Sequence, residues 1–309
     1  MKGKDVLLWA VASVACLAGT AVAQEPAHFG TGYSFQSGSG LVGGAEMLFL
    51  RAYGGSYDRF AHSLMYNLQT PSNEYKISPR LWLGYVNPSG FGVRGRWFQY
   101  DHTLNAGTDT LSYQDEFEEV ATVGRNRLNV YAVDVDLMQR VDLGCWNVNA
   151  GAGLRVGGVT RRTTKDSYYE NIWGDEYEES STHQSRFEGI GPTVFAELKR
   201  PIMGTGFSLI ANARGSLLFG ESKLWTEDYG EVWHEVWHWK SDVVVAGGEI
   251  QLGGEYARPL GYGTTGFVQC LWEGQAWANA SEYRESVHGR LRRDDLGLMG
   301  VAINFGITR

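Results

Sequence analysis

Strict alternation of apolar and polar residues over long segments is the feature that most constrains what this chain can fold into. In one such segment Val133, Val135 and Leu137 alternate with Asp134 and Asp136. Successive side chains of a β-strand point to opposite faces, so this pattern predicts a strand with one apolar and one polar face. Helical periodicity is almost absent beyond the N-terminus. We therefore expect an all-β chain.

The same alternation recurs along the chain and predicts ten strands. A count of twelve stays open, because parts of residues 60–70 and 110–124 are also able to pair with the wall. The ten predicted strands cover residues 42–52, 78–87, 91–101, 128–142, 146–156, 185–199, 207–219, 243–256, 265–277 and 299–307.

The connections between these strands are short and long in strict turn. In an antiparallel meander every short turn then lies at one end and every long loop at the other. Outer-membrane barrels have this pattern, with an even strand number, short periplasmic turns and longer extracellular loops. We predict a transmembrane antiparallel up-and-down β-barrel. A soluble sandwich or periplasmic barrel needs neither such long strands nor this alternation. The short turns are 87–90, 143–144, 201–206 and 259–263, and the long loops are 53–77, 102–127, 160–184, 221–238 and 278–295.

The N-terminal sequence is typical of an export signal. Lys2 and Lys4 precede an apolar run that ends in Ala21-Val22-Ala23, the small-x-small pattern of a signal-peptidase site. We predict a signal peptide over 1–23, a flexible lead-in over 24–40 and the barrel over 41–309. The expected location is the bacterial outer membrane.

Charge and cysteine content narrow the function classes. A net charge of −8 argues against nucleic-acid binding. Three cysteines cannot form a disulfide framework, and we expect Cys145 and Cys270 to be unpaired. Neither a cofactor nor a metal is expected. Aromatic residues at strand ends are expected to form interfacial girdles; they are Tyr85, Phe91, Tyr100, Tyr131, Trp146, Phe207 and Tyr256.

The cost of placing charge in lipid decides which strand face points inward. An Arg or Lys facing the bilayer midplane of a barrel costs about 2–4 kcal/mol, so the charged faces should line the lumen. We predict that the following residues line a pore: Arg80, Arg94, Arg96, Asp134, Asp136, Arg140, Arg155, Glu197, Arg214, Glu249, Glu255 and Glu273.

Two interpretations of these charges stay open: an ion-paired plug and a selectivity lining. Gly151 and Gly153 on the inner face leave room for water or for a long Arg. We expect a non-enzymatic barrel that passes ions or small hydrophilic solutes. The alternatives are a closed structural or adhesive barrel acting through its acidic, aromatic loops, and a hydrolase with a His/Asp pair at the rim. His183, His234, His238 and His288 lie near loops.

Seven segments of the chain have a recognisable order and spacing: 43–51 (GGAEMLFLR), 79–85 (PRLWLGY), 133–136 (VDVD), 143–146 (LGCW), 150–155 (AGAGLR), 189–192 (GIGP) and 214–220 (RGSLLFG). Together they resemble the Legionella-type major outer membrane protein family, pore-forming barrels of Gram-negative outer membranes. Coverage extends from about residue 41 to the C-terminus, and the resemblance implies an outer-membrane location and pore formation. Many outer-membrane barrels end in Phe or Trp, whereas this chain ends in Arg309 with Phe305 nearby.

Overall fold

Ten antiparallel strands pair in sequence order, and β1 pairs with β10 to close the ring. The computed structural model describes residues 40–54, 74–109, 117–171, 176–202, 205–230, 233–284 and 291–309, which belong to one compact unit. Among these residues no helix is long and apolar enough to cross a membrane. The strands are β1 Gly40–Gly54, β2 Lys76–Val86, β3 Phe91–Asp109, β4 Phe117–Leu143, β5 Trp146–Asn171, β6 Glu176–Pro201, β7 Phe207–Gly230, β8 Trp233–Gly261, β9 Thr264–Arg284 and β10 Leu291–Thr308.

The predicted barrel with ten strands is confirmed, but the long loops were predicted too long. Much of 102–127, 160–184 and 221–238 continues as paired strand, so β4, β5 and β8 reach 27, 26 and 29 residues. These parts lie beyond the apolar belt described below. Buried side chains there include the polar Ser167, Thr182 and Ser222, so no apolar alternation marks these parts as strand. Part of 110–124 does pair with the wall, as the start of β4, while 60–70 lies outside the described residues.

One end of the barrel carries the four short turns, the start of β1 and the end of β10, and we call it the turn end. We call the opposite end the loop end. About 9–11 residues of a tilted strand cross a bilayer, so strands of 24–29 residues, β4 to β8, project well past the membrane. They project at the loop end, because at the other end β4 and β5 are joined by the short turn at 144–145, and β8 and β9 by the one at 262–263.

The outer wall carries an apolar belt, as the cost of charge in lipid requires. Val135 and Leu154 point outward and are 57% and 58% exposed. Charged side chains on the same outer face, including the Arg186–Glu188 pair on β6 and Lys240 on β8, mark the limit of the belt toward the loop end. Aromatic side chains mark the turn end, and they are Tyr85, Phe91, Trp146, Phe207 and Tyr256.

Tyr100 does not belong to a girdle, contrary to the sequence prediction. It has the strand parity of Arg94 and Arg96, so it points into the barrel and is fully buried. Cys270 lies on the outer face of β9 and Cys145 in the β4–β5 turn, and both are free.

The inner wall has two zones. The zone nearer the loop end is apolar and forms a packed cluster inside the barrel, although a polar inner face was predicted throughout. The charged zone lies next to it toward the turn end. On β4, for example, Leu128 and Val130 precede Asp134 and Asp136. The apolar zone includes Leu48, Leu50, Phe98, Tyr100, Leu128, Val130, Val159, Phe187, Leu218, Val243, Val245, Leu271, Trp277 and Leu298.

Candidate functional site

The structure brings the predicted inward-facing charges together inside the barrel. Arg80, Asp136 and Glu273 are completely buried. Arg140 and Glu197, nearer the turn end, are half-buried. The others are also buried or nearly so, and they are Arg94, Arg96, Asp134, Arg155, Arg214, Glu249 and Glu255. Whether these twelve residues line a conducting pore stays a prediction.

Two arginines extend from β2 and β3 toward carboxylates on β8 and β9. Arg80 donates hydrogen bonds to both oxygens of Glu273, at 2.5 and 2.8 Å, and to Glu46 on β1 at 2.8 Å. Arg96 donates to Glu249 on β8 at 2.5 Å. In the ring of ten strands β3 and β8 are five positions apart and therefore diametrically opposite. Two side chains thus span the lumen at this level.

A second set of pairs joins β4 to β5 and β7. Arg155 donates to Asp134 at 2.6 and 3.0 Å and to Glu249 at 2.6 Å. Arg214 donates to Asp136 at 2.7 and 2.9 Å, with Asp134 3.6 Å away. Because Glu249 also accepts from Arg96, the two sets share members and form one connected network.

The network ends on the β6 side at Arg94, which donates to Asp136 and, at 2.6 Å, to Glu197. The ring of Phe195 contacts two guanidinium groups, with its centroid 4.6 Å from that of Arg94 and 4.8 Å from that of Arg214. Cations over an aromatic face are attracted by its quadrupole, so this ring adds to the attraction of Asp136 for both arginines. We call the whole set the lumen network: Arg80, Arg94, Arg96, Arg155 and Arg214 with Glu46, Asp134, Asp136, Glu197, Glu249 and Glu273.

Sequence reasoning did not include Glu46 and Lys199, which the structure pairs with predicted inward-facing charges. The sequence did not decide which face of β1 points into the lumen, because Glu46 and Arg51 lie on opposite faces. In the structure Arg51 contacts the Tyr53 ring near the loop end. Leu48 lies on the same face as Glu46 and is apolar, so it would have suggested that this face points to lipid, whereas it points inward. Lys199 pairs with the predicted Glu255 near the turn end, and its signal was its shared parity with Glu197.

Gly151 and Gly153 neither leave room for water nor seat an arginine. A methyl group at Gly151 would stand 2.1 Å from the Leu137 carbonyl oxygen, and one at Gly153 would be 2.9 Å from an Asp136 carboxylate oxygen. These glycines therefore let β5 approach β4 closely beneath the lumen network.

His183 lies on the inner face of β6, beyond the apolar belt. Its Nε2 is 2.9 Å from Ser181 Oγ, and Ser181 donates its proton to Asp228 at 2.5 Å. Burial lowers the pKa of His183, while Asp228 acts in the opposite direction. Because the Ser181 hydroxyl proton is directed to a carboxylate, the imidazole does not receive it. This is not the arrangement of an activated nucleophile.

The other histidines give no metal site in the described part of the chain. His234 Nε2 is 3.0 Å from Glu227 Oε1 on the exposed β7–β8 hairpin, and His238 is exposed. Within the ranges that the structure describes, no three His, Cys, Asp or Glu side chains cluster closely enough to hold a metal ion. His288 lies outside those ranges.

Comparison with solved structures finds outer-membrane barrels of low similarity. The outer membrane protease OmpT of Escherichia coli has 10% identity and a TM-score of 0.42, covering 87% of this chain and 95% of that chain. A major outer membrane protein of Thermus thermophilus has 10% identity and a TM-score of 0.30, covering 87% and 98%. The Pseudomonas putida toluene transporter TodX has 5% identity and a TM-score of 0.31, covering 87% and 89%. Likenesses at this level do not bear on activity.

Comparison with curated proteins finds no similar sequence. A family model described as "Legionella pneumophila major outer membrane protein precursor" matches residues 39–308. That range contains all ten strands. The protein is located in the bacterial outer membrane, as the family, the apolar belt and the closed ring all indicate. The chain therefore belongs to the Legionella major outer membrane protein family.

Proposed function

We propose that this protein is a closed structural barrel of the outer membrane that presents its projecting strands at the cell surface. The observation that carries the proposal is the contact between Arg96 and Glu249, which joins diametrically opposite strands at 2.5 Å. Around it Arg80 and Arg155 are 0% and 1% exposed, so water does not reach their guanidinium groups. The apolar cluster on the loop-end side adds a second layer of packed side chains.

The strength of the lumen network supports closure at rest. Removing one partner from a buried ion pair costs about 3–5 kcal/mol, since the remaining charge is left uncompensated. Each arginine of the lumen network contacts at least two carboxylates, so opening a path would break several such pairs together.

The projecting strands support the surface role. Outer-membrane barrels place their longer connections outside the cell, which orients the loop end outward. There β7 and β8 expose Tyr229, Trp237 and Trp239 to solvent, beside Glu235. An aromatic and acidic surface of this kind suits contact with other molecules at the cell surface.

Porin-like passage of ions or small hydrophilic solutes is the second candidate. The observation that favours it is a polar patch of the inner wall between the lumen network and the turn end, where Lys199, Glu255, Gln269 and Asn304 are hydrogen-bonded partners. The inner wall there also carries a small apolar cluster of Val42, Val86, Met138 and Phe195. In this candidate the lumen network acts as a gate that must rearrange before solutes pass. Mixed charge would give weak ion selectivity.

Planar-bilayer conductance of the refolded protein tests the proposal. The native barrel should show no discrete conductance steps. Arg96→Ala with Arg155→Ala and Trp277→Ala, which weakens both packed layers, should show steps that favour cations, because Glu249 and Asp134 lose donors and the apolar layer loses a fully buried side chain. Arg127→Ala with Arg186→Ala, which removes two exposed arginines, is the control and should stay silent. Discrete steps from the native protein would overturn closure and support the porin-like candidate.

A further inference from the structure

The loop-end part of the β9–β10 hairpin leaves the barrel wall. Pairing of β9 with β8 stops at Ala278, opposite Ala246, although β8 continues to Trp233 toward the loop end. Residues 279–284 and 291–294 pair only with each other among the described residues. The break has a local cause on each strand: Asn279 has a φ of 61°, and the register shifts between Asp294 and Leu296.

Beyond this break the hairpin turns inward over the lumen. The backbone N–H of Glu282 donates to Ser185 Oγ on β6 at 3.0 Å, although β6 is three positions from β9 in the ring. β9 also contacts β5 and β7, which are not its neighbours. Ala280 and Glu282 are 1% and 2% exposed, whereas Trp239 on the projecting part of β8 is 52% exposed. The hairpin therefore lies across the mouth of the barrel.

In the described part of the hairpin, Glu282 makes the contacts that hold it against β6 and β8. The Glu282 carboxylate accepts from Ser241 Oγ on β8 at 2.9 Å and from Arg293 Nε within the hairpin at 2.8 Å. At the hinge, the N–H of Asn279 donates to Asp295 Oδ1 at 2.8 Å. Outward motion would break the bonds to Ser185 and Ser241 and uncover Ala280, and it would leave every pair of the closed ring intact.

We propose that residues 279–284 and 291–294 form a hinged lid over the loop-end mouth, with Glu282 as its latch on β6 and β8. The lid is a separate closure from the lumen network, since it covers the apolar zone from outside. It controls access of external molecules to that zone, whether or not the network below conducts.

A cysteine beneath the lid tests this proposal. Val159→Cys lies on β5, four residues beyond Arg155 toward the loop end, and its native side chain is 2% exposed. The background carries Cys16→Ser, Cys145→Ser and Cys270→Ser, which removes all three native thiols. The readout is the labelling rate of the reporter by a hydrophilic maleimide added to refolded protein. This readout is independent of conductance, because the reporter lies on the loop-end side of the network.

The latch variant and its control give the expected results. Ser185→Ala with Glu282→Ala should raise the labelling rate at least tenfold, while Glu235→Ala, which removes an exposed carboxylate, should leave it unchanged. Gel migration of unboiled samples establishes that each variant is folded. A folded latch variant that is labelled at the native rate would overturn the proposal.

Discussion

Asp134 on β4 lies directly opposite Arg155 on β5 in the strand register, and the two side chains pair at 2.6 and 3.0 Å. Arg96 on β3 lies opposite Asp134 on its other side. The register of three neighbouring strands therefore places one carboxylate between two arginines. Glu249 meets the same two arginines from the far side of the lumen, so each guanidinium is held from two directions.

Removing Glu249 should destabilise the barrel strongly. Glu249→Ala leaves Arg96 and Arg155 buried with one acceptor fewer, and we expect a loss of about 3–5 kcal/mol in the free energy of unfolding. Urea unfolding in detergent or lipid, followed by gel migration or tryptophan fluorescence, measures it. Glu235→Ala, on the exposed part of β8, should change the free energy by about 0.5 kcal/mol or less. Equal effects would show that the network does not stabilise the fold.

Close contact between β4 and β5 predicts a steep cost for one added methyl group. At Gly153 it would stand 2.1 Å from the Val135 carbonyl oxygen, so Gly153→Ala should cost about 1–3 kcal/mol of unfolding free energy. Gly248 has no atom within 4 Å of that position, and Gly248→Ala should be neutral or slightly stabilising. The same unfolding assay compares them, and a harmless Gly153→Ala would contradict the packing described here.

The apolar belt predicts that the cost of an outward-facing charge depends on its position. Val135→Arg, near the middle of the belt on β4, should cost about 2–4 kcal/mol. Val236→Arg, on the projecting part of β8, should cost about 0.5 kcal/mol or less, because that side chain faces water. Reversible unfolding in liposomes measures the free energy of unfolding of both variants. Similar costs would show that the belt is assigned to the wrong residues.

Protonation of His183 should weaken the projecting part of β6 and β7. Burial lowers the pKa of His183 below its ordinary 6.5, so the unfolded chain binds more protons than the folded chain just below pH 6.5. The contribution of His183 to stability is present above that window and is lost as the pH falls through it. Protease cleavage of the projecting strands should therefore be faster at pH 5 than at pH 7. In His183→Gln the difference in cleavage rate between pH 5 and pH 7 should shrink. An unchanged difference would show that other groups cause it.

Most of the correct predictions about the lumen came from strand parity, the alternation of side chains between the two faces of a strand. It placed Arg80, Arg155 and Glu273 on the inner wall, because their neighbours in sequence are apolar and face lipid. It could not tell which arginine meets which carboxylate, since Arg96 and Glu249 are 153 residues apart and meet only after closure.

The apolar half of the lumen was also beyond the reach of parity. Val243, Val244 and Val245 are apolar on both faces, and such a run does not say whether its second face meets lipid, water or other side chains. In the barrel Val243 and Val245 pack against the inner cluster, while Val244 is exposed on the outer wall.

The end of pairing between β8 and β9 at Ala246 and Ala278 divides the sheet into two regimes. Up to that point the ring is closed and every strand has two neighbours, the arrangement by which a barrel pairs its backbone groups inside a membrane. Beyond it, residues 233–245 pair only with β7 in the described part of the chain, so one side of this strand is a sheet edge. Lys240 and Asp242 lie along that edge, and charged side chains are a common defence against unwanted strand addition. The edge of β8 thus lies in the part of the sheet where water can solvate its main-chain groups.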